Sequence, residues 1–178
     1  MAGLRPALLA LALCLLSGPA RADDRALLDR AIAQATGQFE AALPALGSTL
    51  FDVDIAAYRA ALEQGSFTGG AWPGRTRLAM EIRAKNSGSC RQFAAFVRIP
   101  PEDGAVGFVL CPQFFDPGAD ALRALTILHE MVHAVAGRDE CQAMAFAAHI
   151  EQLATGRFTP VNAYWAASNC AGSPYRLP

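Results

Sequence analysis

The sequence predicts an α+β fold: two N-terminal helices, a small antiparallel sheet in the middle of the chain, and two later helices packed on it. Three observations carry this prediction. Apolar residues recur every three to four positions in two early and two late segments. Between those segments lie three short strand-like runs, separated by Gly, Pro, Asn and Asp. Near residue 130, the most apolar of the periodic segments carries two histidines four positions apart, a spacing that brings side chains together only on a helix.

In chain order, the first stretch reads as a leader to be removed. Arg5 supplies a positive charge, and residues 7–16 form an apolar run too short to anchor the chain in a bilayer. Ser17-Gly18-Pro19 breaks that run, and Ala20-Arg21-Ala22 has the small-x-small form of a cleavage site. Cleavage is expected before Asp23. Lipidation at Cys14 is disfavoured, because Leu13 stands where a small residue is needed. The expected product is a soluble exported protein, periplasmic or secreted, in which residues 23–178 make one domain. Arg5 and Arg21 leave with the leader, so the charge moves from −1 to −3 with histidines neutral. That balance argues against nucleic acid and anionic lipid as partners, and a monomer without a membrane span is expected.

Residues 23–42 read as a helix with Leu27, Leu28, Ile32, Ala35 and Phe39 at helical spacing, ended by Pro44 and Gly47. Residues 53–64 read as a shorter one, with Ile55, Tyr58 and Leu62 on one side and Gly65 after it. Thr68-Gly69-Gly70 and Pro73-Gly74 mark a loop. The strand-like runs follow at 77–83, 91–99 and 105–111, read as an antiparallel meander with turns at Asn86-Ser87-Gly88 and Pro100-Pro101-Glu102-Asp103-Gly104. After a loop over 112–119, Asp120 is placed to cap a helix reaching Ala136, with Gly137 suited to its C-terminal turn. A last helix starts at Asp139 or Glu140 and ends near Gly156, and the tail is read as irregular.

Four cysteines remain after the leader: Cys90, Cys111, Cys141 and Cys170. In an exported chain an even number reads as two disulfides. Cys90 and Cys111 flank the open end of a hairpin at nearly equal distances from its turn, which pairs them and leaves Cys141 with Cys170.

The chemistry concentrates in Leu128-His129-Glu130-Met131-Val132-His133. Imidazoles one helical turn apart can reach one zinc ion at roughly 2.0–2.1 Å, and Glu130 then lies beside the metal. A buried helix that happens to carry two histidines is the plainer reading. With only three histidines in the chain, two at this spacing around a glutamate favour metal. Three residues are candidates for a third ligand. Asp139 can also cap the last helix, in a D-x-x-Q capping box with Gln142. Glu140 would then begin that helix on the face of Ala143 and Ala147, whose small side chains allow close approach to the histidine helix. His149 is nine residues further on, about half a turn round from Glu140. Glu140 is the first choice, Asp139 the alternative and His149 the last.

His129-Glu130-Met131-Val132-His133 has the HExxH pattern and resembles the zinc metallopeptidases of the zincin clan. Glu140-Cys141-Gln142-Ala143-Met144-Ala145-Phe146-Ala147-Ala148 resembles the segment after HExxH in ImmA/IrrE-type peptidases, where the leading glutamate is a zinc ligand. Phe108-Val109-Leu110-Cys111-Pro112-Gln113-Phe114-Phe115 and Leu125-Thr126-Ile127-Leu128-His129-Glu130 resemble deuterolysin and peptidyl-lysine metallopeptidases, which are exported and disulfide-bonded. The aspartate motif of those enzymes is not reproduced at Gly137-Arg138-Asp139-Glu140. The zincin resemblance implies a zincin-like α+β domain and a zinc-dependent hydrolase acting on peptide or protein substrates. Zn2+ would be held by His129, His133 and Glu140, with Glu130 as general base. It also implies a substrate extended along an edge strand, expected at 105–111. Tyr164 and Arg157 are the nearest sequence candidates for an oxyanion donor. The alternative function is a non-catalytic zinc protein that captures a partner in the same groove.

Overall fold

The computed structural model describes residues 19–178, so the apolar core of the expected leader lies outside the described residues. The first helix, α1 (Pro19–Ala42), runs through the expected cleavage point. It buries Leu28, Ala31, Ala35, Phe39 and Ala42, a stripe at the predicted spacing. A two-stranded hairpin follows, β1 (Thr49–Leu50) with β2 (Val53–Asp54). Its turn residues Phe51 and Asp52 both take positive φ, the conformation that a two-residue turn demands. Helix α2 (Ile55–Gln64) starts two residues later than the sequence reading because Val53 and Asp54 form that strand. The Asp54 carboxylate accepts from the Ala57 backbone N–H at 3.0 Å, and Gly65 closes the helix in the left-handed conformation.

The main sheet has four strands: β3 (Ser66–Gly69), β4 (Trp72–Ile82), β5 (Ala95–Glu102) and β6 (Ala105–Leu110). Their spatial order is β3-β4-β6-β5. The segment read as a loop around Thr68 and Pro73 is therefore the β3–β4 hairpin. The antiparallel meander is also corrected. β5 and β6 form the predicted hairpin, but β6 pairs with β4 in parallel, so the sheet is mixed. Composition explains the insertion: Val106, Phe108, Val109 and Leu110 are all buried, so β6 needs cover on both faces and takes a central position. β5, which carries Arg98 and Glu102, is left at the edge.

Helices α3 (Asp120–Ala136) and α4 (Glu140–Thr155) pack against each other, and both pack on α1. Ala143 and Ala147 are buried, as expected for a close helix–helix approach. At the centre, Tyr58 packs between Phe39 and Phe146, with ring centroids 5.0 and 4.6 Å away. Its hydroxyl donates to the Leu128 carbonyl of α3 at 2.9 Å, and burial raises its pKa so that it stays a neutral donor.

Both ends of α3 are held from outside. Asp120 does not cap the helix as expected. Ala119 occupies that position without a side-chain bond, and Asp120 pairs with the buried Arg123 instead. The Arg123 guanidinium also donates to the carbonyls of Phe114 at 2.8 Å and Asp116 at 2.7 Å, which fastens the preceding loop. At the other end the β3–β4 turn docks on the last carbonyls. The Ala71 N–H donates to Val135 at 2.8 Å and the Trp72 indole to Ala134 at 2.6 Å. The approach is so close that a Cβ on Gly70 would collide with the Val135 carbonyl oxygen.

Disulfides join Cys90 to Cys111 and Cys141 to Cys170, with Cα–Cα distances of 5.3 and 5.4 Å, the pairing predicted from the hairpin. Two such bonds point to an oxidising environment. Among the described residues no helix is long and apolar enough to cross a membrane.

Candidate metal centre

His129 and His133 lie one turn apart on α3, and the short connection through Gly137, Arg138 and Asp139 turns the chain back along it. Gly137 makes this reversal at φ 109°, a region that a side chain disfavours. The reversal puts Glu140, the first residue of α4, opposite the two imidazoles. His129 Nε2 is 3.2 Å from Glu140 Oε2, His133 Nε2 is 3.5 Å from Oε1, and the two Nε2 atoms are 3.0 Å apart. A tetrahedral ion with bonds of roughly 2.0–2.1 Å separates its ligand atoms by about 3.3 Å, so the three donors have the spacing a metal ion would impose. The group could therefore hold a metal ion.

Hydrogen bonding prepares the donors. His133 Nδ1 lies 2.8 Å from the Gly137 carbonyl oxygen, which can only accept, so the neutral ring keeps its proton on Nδ1 and turns its Nε2 lone pair to the cluster. The charged ring, protonated on both nitrogens, donates to Glu140. Burial on its own would lower the pKa of His133, but its hydrogen bond to Glu140, the nearby Glu130 and the Gly137 carbonyl together raise it. Burial works against the Glu140 carboxylate too. There the hydrogen bonds from His129 and His133 prevail and hold its pKa far below the ordinary carboxylate range.

Asp139 points elsewhere. Its carboxylate caps α4, accepting from the Cys141 and Gln142 backbone N–H groups at 2.9 and 3.0 Å. The reciprocal half of the predicted capping box is not made. Gln142 instead donates to the Phe51 carbonyl at 2.8 Å and ties α4 to the first hairpin. His149 is remote from the cluster, with its ring edge-on to Phe51 at 5.4 Å.

Glu130 is buried beside the cluster, only 8 % exposed, and burial raises its pKa above the ordinary carboxylate value. Both histidines and the Val97 backbone N–H act against that rise. It faces a cavity of about 600 Å³ whose walls include His133, Arg138, Glu140 and the β5 residues Val97 to Pro100. The strand beside the site is thus β5, which corrects the expectation of residues 105–111; that run lies between two other strands. The Arg138 guanidinium donates to the Ile99 carbonyl at 2.7 Å and ties this edge to the turn between α3 and α4.

The sequence reading also missed α5 (Asn162–Ala167) in the tail, although Pro160 followed by Asn162-Ala163-Tyr164-Trp165-Ala166-Ala167 is a helix-start signal. The helix brings the Tyr164 hydroxyl to 3.0 Å from Glu140 Oε2, with its ring 6.2 Å from that of His129. Burial first, then the Glu140 charge, push its pKa well up, so it donates as a neutral phenol. Arg157 is exposed at the end of α4, where its backbone bonds to Thr155. Comparisons with protein-family models, curated proteins and solved structures find nothing that matches this chain, so the reading of the site rests on its own geometry.

Proposed function

We propose that this protein is an exported zinc metallopeptidase of zincin type, acting on peptide or protein substrates. One observation carries the reading: two imidazole nitrogens and a carboxylate converge at metal-ligand spacing, and a buried fourth group, Glu130, stands beside them without joining them. A purely structural zinc site uses four protein ligands and has no task for that carboxylate. His129, His133 and Glu140 would hold the ion, with Tyr164 hydrogen-bonded to Glu140. Zinc there supplies Lewis acidity, which eases deprotonation of water and polarises a carbonyl.

The remaining work falls to the chain. β5 is the edge strand beside the cluster, and the main-chain groups that Glu130 and Arg138 leave open along it offer hydrogen bonds to an extended peptide. Glu130 accepts a proton from the attacking water as the new C–O bond forms. It then returns that proton to the amine nitrogen as the C–N bond breaks.

The test is cleavage of a peptide library by the zinc-loaded protein and by Glu130→Gln. The variant should keep one zinc per chain and lose at least about a hundredfold in rate. A wild type that binds equimolar zinc and cleaves nothing would favour the capture protein. A chain that stays metal-free in excess zinc would remove both readings.

A further inference from the structure

We infer that the outward face of the main sheet is a docking surface for an acidic segment of the substrate protein, away from the bond that is cut. The inference rests on the peptidase reading above. The charge of −3 expected for residues 23–178 is unevenly spread. Residues 66–111, which make the sheet and its connections, carry six basic and three acidic side chains, so the remainder holds a net −6. Such a separation favours an acidic partner at the sheet, whatever the sign of the whole.

Strand register shows where the basic groups point. Val106, Phe108 and Leu110 of β6 belong to the core beneath the helices, so Ala105 and Gly107 face the other way, as does Val109, packed with the Cys90–Cys111 bond. Their partners on the neighbouring strands share that face: Arg77, Ala79 and Glu81 on β4, Phe96, Arg98 and Glu102 on β5. Arg98 lies flat across Gly107, where a Cβ would come within 2.9 Å of its Nε, and reaches Glu81 on β4. Glu81 also accepts from Arg83 at 2.9 Å. Arg75 joins the same face by donating at 2.9 Å to Ser66, the residue paired with Arg77. Four arginines thus stand against Glu81 and Glu102. Among the described residues neither Arg75 nor Arg77 forms an ion pair.

This face is continuous with the site. Phe96, Arg98 and Glu102 also wall the cavity that holds Glu130 and His133. From β5 to β4 is two strand spacings, about 10 Å, which roughly three residues of extended chain cover. A substrate leaving the cavity over the β5 edge therefore meets Arg98 first and Arg77 next. A bilayer fits less well. Of the exposed large apolar residues, Phe93, Leu122, Leu153 and Tyr164, none lies on a strand of this sheet to anchor one.

The test reads binding apart from turnover. The zinc-loaded full chain carrying Glu130→Gln is titrated by fluorescence anisotropy with a labelled glutamate–serine peptide of about ten residues and with its glutamine–serine counterpart. The acidic peptide should bind about tenfold or more tightly at low salt, and its advantage should shrink as salt rises to about 0.15 M. The ratio should fall toward one when Arg75→Ser and Arg77→Ser are combined. It should persist when Arg25→Ser and Arg30→Ser are combined, which removes the same charge from exposed positions on α1. No advantage before these substitutions, or an equal loss with either pair, overturns the inference, since bulk charge alone would then be at work. Binding of a sulfated polysaccharide or of phosphatidylserine vesicles, without binding of the acidic peptide, overturns it too and gives the face to that partner. A wild type that cleaves peptides without favouring an acid-tailed substrate removes the inference alone. A wild type that cleaves nothing removes the peptidase reading, and the docking of acidic segments still stands or falls by the binding ratio.

Discussion

Two neighbouring carboxylates, Asp139 and Glu140, do different work, and substitution should separate them. Asp139 accepts two backbone N–H groups at the start of α4, whereas Glu140 faces both imidazoles. Asp139→Ala should cost roughly 0.5–2 kcal/mol in a urea titration and keep zinc, and Asp139→Asn should be nearly silent because Asn caps as well. Glu140→Ala should lose zinc and leave most of the fold in place. Zinc lost in Asp139→Asn but kept in Glu140→Ala would reverse the assignment. Glu130 yields a pH prediction. Its folded pKa is raised, so the folded state binds the proton more tightly than the unfolded chain. That contribution is fully present below the unfolded value of about 4.3 and is lost as pH rises through the folded value. In chelator-treated protein, Glu130→Gln should therefore raise the melting temperature at neutral pH, with the advantage shrinking as pH falls toward 4. A variant less stable than wild type at pH 7 would contradict this.

The histidine helix is positioned by elements far from it in sequence. The β3–β4 turn supplies partners for two carbonyls at its C-terminal end, and the Tyr58 hydroxyl reaches a third at Leu128. Gly70 makes that docking possible. It has φ 69° and faces the Val135 carbonyl, while Gly74 has φ 74° and nothing near its missing Cβ. Gly74→Ala should thus carry the backbone cost alone, about 1–2 kcal/mol. Gly70→Ala should cost more, because the turn must also move away from α3, and zinc affinity should drop with it. Equal costs for the two variants, measured by denaturant titration, would show that the docking does not matter.

Across the whole molecule, the tail is fastened to the site by chemistry. The Cys141–Cys170 bond joins the residue after Glu140 to the segment following α5, the helix that carries Tyr164. The bond spans a sequence separation of 29 residues, and closing such a loop stabilises a fold by about 3–4 kcal/mol in the chain-entropy model. The double variant Cys141→Ala with Cys170→Ala should lose stability of that order. It should also release zinc faster, because Tyr164 is no longer held against Glu140. Unchanged zinc release in the double variant would mean that α5 stays in place without the bond.

Features written within one helical turn or one hairpin were legible in the sequence by itself. They include the meeting of His129 with His133, the cap at Asp139, the stop at Gly65, and the pairing of Cys90 with Cys111. Phase along α4 also favoured Glu140 over His149. Each depends on spacing between residues that are close in the chain or joined by a single turn. The tertiary structure decided the rest. Strand order depends on competition among strands for cover, and the fully apolar β6 took the centre and left β5 beside Glu130. Asp120 could have capped α3, but Arg123 claimed it; Gln142 could have closed a capping box, but the Phe51 carbonyl was in reach. Tyr164 and Arg138 became part of the site through a disulfide and a chain reversal, and neither leaves a periodic signal in the sequence. Local spacing determined which groups could meet a metal, and long-range packing determined what surrounds them.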